Sequence, residues 1–369
     1  MPKMSTNLAL ALAVTTTLAL AAGCDRRSGG LAGPEPVEDP TPVGPQELAV
    51  VGFYNVENLF DVSDDPDNEG DDEYLPSAAK RWDRARYDKK VDDLARVISE
   101  LGAEAQPGGP ALLGLSEVEN ARVLEDLVSS DALADSDYGV VHFDSPDYRG
   151  IDVALLYRRA DFDVLEARPV GLVLPPRPGS SRERTTRDIL YVKGLLRGDT
   201  LHYLVNHWPS RGGGEVESRP DRARVAGTVR ILIDSIRAAQ PDADVAVAGD
   251  LNDDPIDASV AEVLGSVDRR DLATADLLYN PYVALFRQGR GTLGYRRAWN
   301  LFDQILLSRG LAAHGADWSV RDAQIFAPGY LLQVAGSYRG FPDRTYVGDD
   351  YRGGVSDHLP VFVVLTRPL

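Results

Sequence analysis

The chain has a single cysteine, Cys24, in 369 residues. One cysteine excludes an intramolecular disulfide and any cysteine metal cluster, so the core must be held by packing alone. Positive charge is also short, with 39 Lys and Arg against 57 Asp and Glu and a formal net charge of −18. That balance excludes a protein that coats nucleic acid through general electrostatics. It leaves open an enzyme acting on phosphates, because carboxylates that hold divalent cations count as negative until the cation reverses the local field. Lysine is scarce, and arginine supplies most of the cations. Internal repeats are absent, and the one extended apolar stretch, Leu8 to Ala22, is too short for a spanning helix.

What is present divides the chain into three parts. Residues 1–23 read as a signal peptide, with Lys3, the apolar stretch, and then Ala21-Ala22-Gly23 before Cys24. This resembles a bacterial lipoprotein signal, which implies that Cys24 is lipidated and becomes the first residue of the mature protein. The protein is then expected to be exported and tethered to a membrane of the bacterial cell envelope, facing the periplasm or the exterior. Residues 24–46 are rich in Pro, Gly and acids and read as a linker. Residues 47–369 intermix apolar strand-like runs and helical periodicity, and a 43% apolar fraction supplies a core, so one mixed α/β domain is expected.

Within that domain, buried strands are expected at Leu48–Tyr54, Ala111–Leu115, Ile151–Tyr157, Phe162–Ala167, Ile189–Leu195, Leu201–Asn206, Val245–Ala248, Leu301–Leu307 and Val361–Leu365. Val91, Leu94, Ala95, Ile98 and Leu101 share one helical face over Tyr87–Leu101, and Pro220–Ala239 suits a second helix. The dense acidic loop from Asp61 to Glu73 lacks the glycine and terminal glutamate of an EF-hand. It is expected to be a solvated or substrate-rim loop, with calcium binding as the alternative.

The strands share a habit of ending in polar residues of catalytic type: Asn55 and Glu57, Glu117, Asn206 and His207, Asp250 and Asn252. Asp303 lies near the start of another, and Asp357 and His358 precede the last. One such end means nothing, since strands must end in something polar. Several together predict a shared mouth where acids, amides and imidazoles converge. Oxygen donors with two separated histidines suit a hard cation, Mg²⁺ or Mn²⁺, better than zinc. Metal plus imidazole is a toolkit for phosphoester hydrolysis.

The phrases Asn55-Val56-Glu57, Glu117, Asn206-His207, Gly249-Asp250-Leu251-Asn252, Phe302-Asp303-Gln304-Ile305 and Ser356-Asp357-His358 occur in that order. The set resembles the endonuclease/exonuclease/phosphatase superfamily, the group of DNase I, and spans residues 50–365. Longer phrases, Tyr54 to Asp61, Arg149-Gly150-Ile151-Asp152 and His207-Trp208-Pro209-Ser210-Arg211, resemble a secreted bacterial nuclease-like branch. The resemblance implies a four-layer α/β sandwich, with two mixed β-sheets packed face to face and helices outside. It implies one or two metal ions, with Glu117 as principal ligand beside Asn55, Glu57 and Asp357. Asp250 and Asn252 would position water and phosphate or hold a second ion. Asp303 would orient His358 and favour its charged form, and His207 would donate a proton to the leaving oxygen. Repair-type members carry a tyrosine and an asparagine where this chain has Leu204 and His207, which speaks against abasic-site repair.

Arg149, Arg187 and Arg211 are candidates for phosphate contact, each weighed against pairing with one of the many acids. His142, His202 and His314 lack motif context and read as structural, while Trp208 reads either as core or as a stacking surface. The expected function is a metal-dependent phosphodiesterase of nuclease type, acting as a monomer on nucleic acid. The alternatives are a lipid or small-molecule phosphoesterase on the same scaffold, or a binding module without catalysis.

Overall fold

The apolar run expected to open the domain forms a long strand, β1 (Gln46–Leu59). It belongs to a computed structural model that describes residues 44–369 apart from 67, 177, 178, 180, 182, 314 and 316. The expected leader, Cys24, nearly all of the linker and His314 lie outside the described residues. Along the chain follow α1 (Arg84–Glu100), β2 (Leu112–Val118), α2 (Ala121–Val128), β3 (Tyr138–His142), β4 (Asp152–Arg158), β5 (Phe162–Val170), β6 (Ile189–Leu196) and β7 (Asp199–His207). Then come α3 (Glu215–Ala239), β8 (Val245–Asp250), β9 (Ser266–Val267), β10 (Leu278–Tyr279), β11 (Asp303–Leu307), β12 (Ser319–Ile325) and β13 (Val361–Pro368).

Two mixed sheets result, a 6-stranded one ordered β12-β13-β1-β2-β4-β3 and a 7-stranded one ordered β9-β10-β11-β8-β7-β6-β5. Both are built on the same plan. A parallel pair lies in the middle, β1 with β2 and β7 with β8, and an antiparallel strand flanks it, β13 against β1 and β11 against β8. One edge of each sheet therefore collects the carboxyl ends of its parallel pair and the amino end of the flanking strand. The two edges meet, because Asn55 of β1 hydrogen-bonds Asp250 of β8.

The sheets pack face to face. The Tyr203 hydroxyl of β7 donates to the Gly52 carbonyl of β1 at 2.6 Å, and Phe53, Leu115, Val205, Ala248, Ile305 and Val363 share one buried cluster. Helix α1 covers the outside of the smaller sheet with Val91, Leu94, Ala95 and Ile98, the expected stripe. Asp83 caps it by accepting from the Arg86 N–H, an interaction worth about 1 kcal/mol. Helix α3 covers the outside of the larger sheet, packing Val225, Val229 and Ile233 on Leu204, Val247 and Leu306. Each such fully buried aliphatic side chain stabilises the fold by roughly 1.5–3 kcal/mol. Helix, sheet, sheet, helix is the four-layer order expected from the resemblance.

The differences from the expected elements have local causes. Helix α3 begins at Glu215, before Pro220, because Glu215 and Glu217 favour a helix amino end and one proline early in a helix breaks few of its bonds. Strands β3 and β12 were not expected, and both are sheet edges. β3 is only five residues and half-exposed, and the polar, exposed residues of β12 blur the apolar alternation that marks a buried strand.

Candidate active site

The first half of the site is made by a slip in register. Strands β1 and β2 pair evenly from Val51–Leu112 to Asn55–Ser116, and then Leu59 meets Val118, so Val56, Glu57 and Asn58 stand against Glu117 alone. Glu57, Asn58 and Glu117 take φ values of 50°, 53° and 64°, in the left-handed region. Backbone of this kind costs a non-glycine residue about 1–3 kcal/mol and persists where the surroundings hold it. Here the Glu57 N–H donates to Asn55 Oδ1 and the Asn58 N–H donates to Glu117 Oε2, both at 3.0 Å. The bulge turns both glutamates out of the sheet and into the mouth.

The second half comes from the larger sheet. Asp250 ends β8 with His207 beside it on β7 and Asp303 beside it on β11. All three are buried. Asp250 Oδ2 accepts from Asn55 Nδ2 at 3.0 Å and stands 3.6 Å from His207 Nε2 and 3.8 Å from His358 Nε2. His358 Nδ1 lies 2.7 Å from Asp303 Oδ2. Asn252, at φ 50°, donates its backbone N–H to Asp250 Oδ1 and its side-chain amide to the Trp208 carbonyl. His207 Nε2 also lies 3.9 Å from Glu117 Oε1, which links the two halves. Ser356 fixes the loop that carries Asp357 and His358, donating to the Asn55 carbonyl at 2.7 Å and accepting from the His358 N–H.

The two imidazoles are held in opposite charge states. Burial disfavours a charged His358, but the carboxylates of Asp303 and Asp250 outweigh it and raise its pKa well above the ordinary 6.5. Burial dominates at His207, Arg187 and Arg149 add to it, and its pKa falls well below 6.5. His207 is therefore neutral at physiological pH, which sets it as a hydrogen-bond donor rather than the ready proton donor expected from the resemblance. Burial lifts Asp250 to about 7 in spite of His358. Burial and the charge of Asp357 lift Glu57 to about 7. Asp357 goes the other way: His358 and Arg344 overcome its burial and hold it below the usual carboxylate range.

These acids fit a hard divalent cation by donor chemistry. Glu57 is raised partly because it repels Asp357, and a divalent cation held by these acids would relieve that conflict. The three expected acid ligands are not drawn together, however. Among the described residues, Asp250, Asp303 and His358 bring ligand-type atoms within 4.8 Å of one another, and Glu57, Glu117 and Asp357 do not. Cations of the chain stand against them instead, Arg149 on Glu117 and Arg344 on Asp357. Asn55 is placed as a brace between the halves, its amide donating to Asp250 and its carbonyl accepting from Glu57.

The expected phosphate arginines separate. Arg149 reaches Asn58 and Glu117 at the mouth and keeps a third of its side chain exposed, at 33%. Arg187 is buried on Asp147 and the Trp208 carbonyl, which makes it part of the scaffold. Arg211 is engaged by the Asn252 carbonyl and by Asp253, Asp254, Asp257 and Glu215, so it braces the 252–257 loop rather than facing the mouth. Trp208 is fully buried and belongs to the core. His142 pairs with Asp152 and His202 with the Tyr191 hydroxyl, in keeping with structural roles. In the acidic loop Asp61 and Asp71 are buried, and the loop packs under Arg149, where a Cβ on Gly70 would meet the Arg149 backbone at 2.4 Å. That part of the loop is scaffold rather than solvated surface.

Sequence reasoning missed three supports. Lys90 lies buried on the apolar face of α1 and donates to the carbonyls of Glu57 and Val355 and to the Thr345 hydroxyl. Thr345 donates its N–H to Glu57 Oε2 at 2.7 Å, and Arg344 pairs with Asp357. A lysine next to the apolar stripe of a helix was the one available signal for Lys90. The 344–345 segment carries no motif at all.

A model of the endonuclease/exonuclease/phosphatase family matches residues 50–367. Comparison with curated proteins gives no match. Among solved structures, an endonuclease/exonuclease/phosphatase family protein of Bacteroides thetaiotaomicron is similar, with a TM-score of 0.52 and 17% identity over 88% of this chain and 97% of that one. D. rerio TDP2 complexed with single strand DNA product gives 0.51 and 16% over 86% and 98%. A mannosyl-6-phosphatase of B. thetaiotaomicron gives 0.52 and 17% over 86% and 99%.

Proposed function

The chain belongs to the endonuclease/exonuclease/phosphatase family, and on that premise we propose that it is a phosphodiester hydrolase dependent on Mg²⁺ or Mn²⁺, acting on nucleic acid. The observation that carries this reading is His358, held cationic by Asp303 at 2.7 Å, facing Asp250 with neutral His207 on the other side. An imidazolium, a buried acid and a neutral N–H donor around one point suit an anionic tetrahedral centre better than any uncharged substrate.

In this reading a phosphodiester lies between the two histidines. His358 donates its Nε2–H to a non-bridging oxygen and keeps its charge because Asp303 holds the other nitrogen. Asp250, its pKa lifted to about 7, accepts a proton from the attacking water, with Asn252 fixing its carboxylate through the 3.0 Å backbone hydrogen bond. His207 hydrogen-bonds the leaving oxygen through its N–H, and that oxygen departs as an alkoxide that takes its proton from solvent. Glu117 would hold the divalent ion, with Glu57 and Asp357 as the further acids on that side, while Asn55 braces the two halves. When bound, that ion would neutralise phosphate charge and make water easier to deprotonate. Arg149, displaced from Glu117, would be free to meet phosphate.

Two further features support nucleic acid. A structural relative, D. rerio TDP2, is described with a single strand DNA product. The phrases of the 54–61 and 207–211 segments resemble secreted nucleases. The test is hydrolysis of bis-p-nitrophenyl phosphate with Mg²⁺ or Mn²⁺ and its loss with EDTA. A panel of single-stranded oligonucleotide, plasmid, sphingomyelin and hexose phosphates then assigns the substrate. Metal-dependent turnover of none of these would sink the reading, and a preference for lipid or sugar phosphate would move it to the other phosphoesterases.

A further inference from the structure

Beside Asp357 lies a cavity of about 420 Å³ that the mechanism above does not use. Tyr295, Tyr338 and Phe341 form its aromatic wall, and Gln333 offers an amide. The cavity is joined to the catalytic loop by backbone. Leu293, one of its lining residues, bridges to His358, and the Leu359 N–H donates to the Thr292 carbonyl at 2.9 Å. A ligand held here would therefore stand next to the scissile phosphate.

Its lip is a hairpin, Leu293–Tyr295 with Ala298–Asn300, closed by the two-residue turn Arg296-Arg297. Both arginines have positive φ, 48° and 64°. Hairpin turns of this kind favour Asn-Gly, because most side chains resist that backbone. Two arginines at such positions are a strained choice, and strain of this sort gathers at functional sites. Neither makes an ion pair among the described residues, in a chain with net charge −18 and many acids available. Arg296 instead lies over the Tyr295 ring, 5.1 Å from its centre. The wall itself is firmly built: Phe341 stacks on Trp299 at 4.5 Å and lies so close to Gly294 that a Cβ there would stand 2.2 Å from its ring.

Aromatic rings with an amide, next to unpaired cations and a phosphodiester site, match a strand of nucleic acid with an unstacked base. We propose that this cavity is a subsite for a nucleobase adjoining the scissile phosphate of single-stranded nucleic acid, and that the Arg296-Arg297 turn holds the neighbouring phosphate. The proposal rests on the phosphodiesterase reading and narrows its substrate. It also accounts for how an acidic protein would hold a polyanion, by a local cation pair in place of a basic face.

The test uses the purified protein with Mg²⁺ or Mn²⁺ and two variants outside the catalytic residues. R296N/R297G gives the turn the residues it favours and removes both cations, and Tyr338→Ala removes part of the wall. Each is expected to raise KM for a single-stranded DNA oligonucleotide about tenfold, the scale of one stacked base or one phosphate contact. Hydrolysis of bis-p-nitrophenyl phosphate should stay within about twofold of the unmodified protein, and R296N/R297G should melt no lower. An oligonucleotide of abasic residues should be insensitive to Tyr338→Ala. Unchanged oligonucleotide KM in both variants overturns the proposal, as does an equal loss on the small diester or an effect confined to hexose phosphates. Failure of the unmodified protein to cleave even the small diester overturns the phosphodiesterase reading itself, and the two failures are thus told apart.

Discussion

His358 owes its charge to its neighbours, and that makes its contribution depend on pH in a definite direction. Asp303 and Asp250 hold its folded pKa well above 6.5. The stability it contributes is therefore complete below about pH 6.5 and is lost as pH rises through the folded value. If catalysis needs the imidazolium, the alkaline limb of the rate profile reports the same pKa. Asp303→Asn removes the stronger of the two charges that sustain it, and a charge-assisted hydrogen bond is worth about 1.5–3 kcal/mol. The alkaline limb of kcat/KM for bis-p-nitrophenyl phosphate should then move to lower pH by about one to two units. A profile that does not move would show that His358 needs no partner. Lys90 makes a second prediction at this scale. It satisfies two buried carbonyls and a hydroxyl and stands near Glu57. Lys90→Met keeps the packing and strands those acceptors, so urea unfolding should show a loss of about 1–3 kcal/mol. The residues with motif chemistry were legible in the sequence because each ends or begins an apolar strand. Lys90, Thr345 and Arg344 were not, because their work is to satisfy groups that only the folded chain brings near.

Elements fix how accurately those residues meet. At the centre of the larger sheet, Gly249 has no room for a side chain, since a Cβ would lie 2.4 Å from the Asn206 carbonyl oxygen on β7. That closeness sets the spacing of β7 and β8, and with it the 3.6 Å between His207 and Asp250. Gly249→Ala must push the strands apart, an overpacking that costs about 1–3 kcal/mol. A displacement of ~1 Å at the reacting groups lowers kcat by about a hundredfold. Gly114→Ala is the matched contrast. Its Cβ would press on Val205 methyl groups at 3.0 Å, between the sheets and away from Asp250. It should lower the melting temperature while leaving kcat within about threefold. Equal effects on kcat would show that the site answers to general loosening rather than to strand spacing. The buried strands could be read from the sequence because apolar runs between turn residues leave few alternatives. The edge strands β3 and β12 and the register slip at Glu57 could not, because each is decided by pairing with another strand, which for β12 and the slip lies far along the chain.

At the scale of the molecule, two sheets of one plan each supply half of the chemistry, and neither half is complete without the other. Asn55 and Glu117 come from the first, Asp250, His207 and Asp303 from the second, and His358 from the loop that closes the first against the second. No local window contains the site, so motif order showed which residues belonged to it while their charge states had to come from the packed structure. The surface raises a separate question. The chain's net charge of −18 gives it no general attraction for an anionic bilayer, which repels it within a Debye length. If the protein is held at a membrane, we predict that the hold is the lipid expected on Cys24 and not the folded body. Cys24→Ala should then move the protein from the membrane pellet to the soluble fraction completely, and abolish labelling by palmitate, while the small-diester activity per molecule stays the same. Retention of the variant in the pellet at high salt would overturn the anchor, since repelled protein has no electrostatic route to remain there.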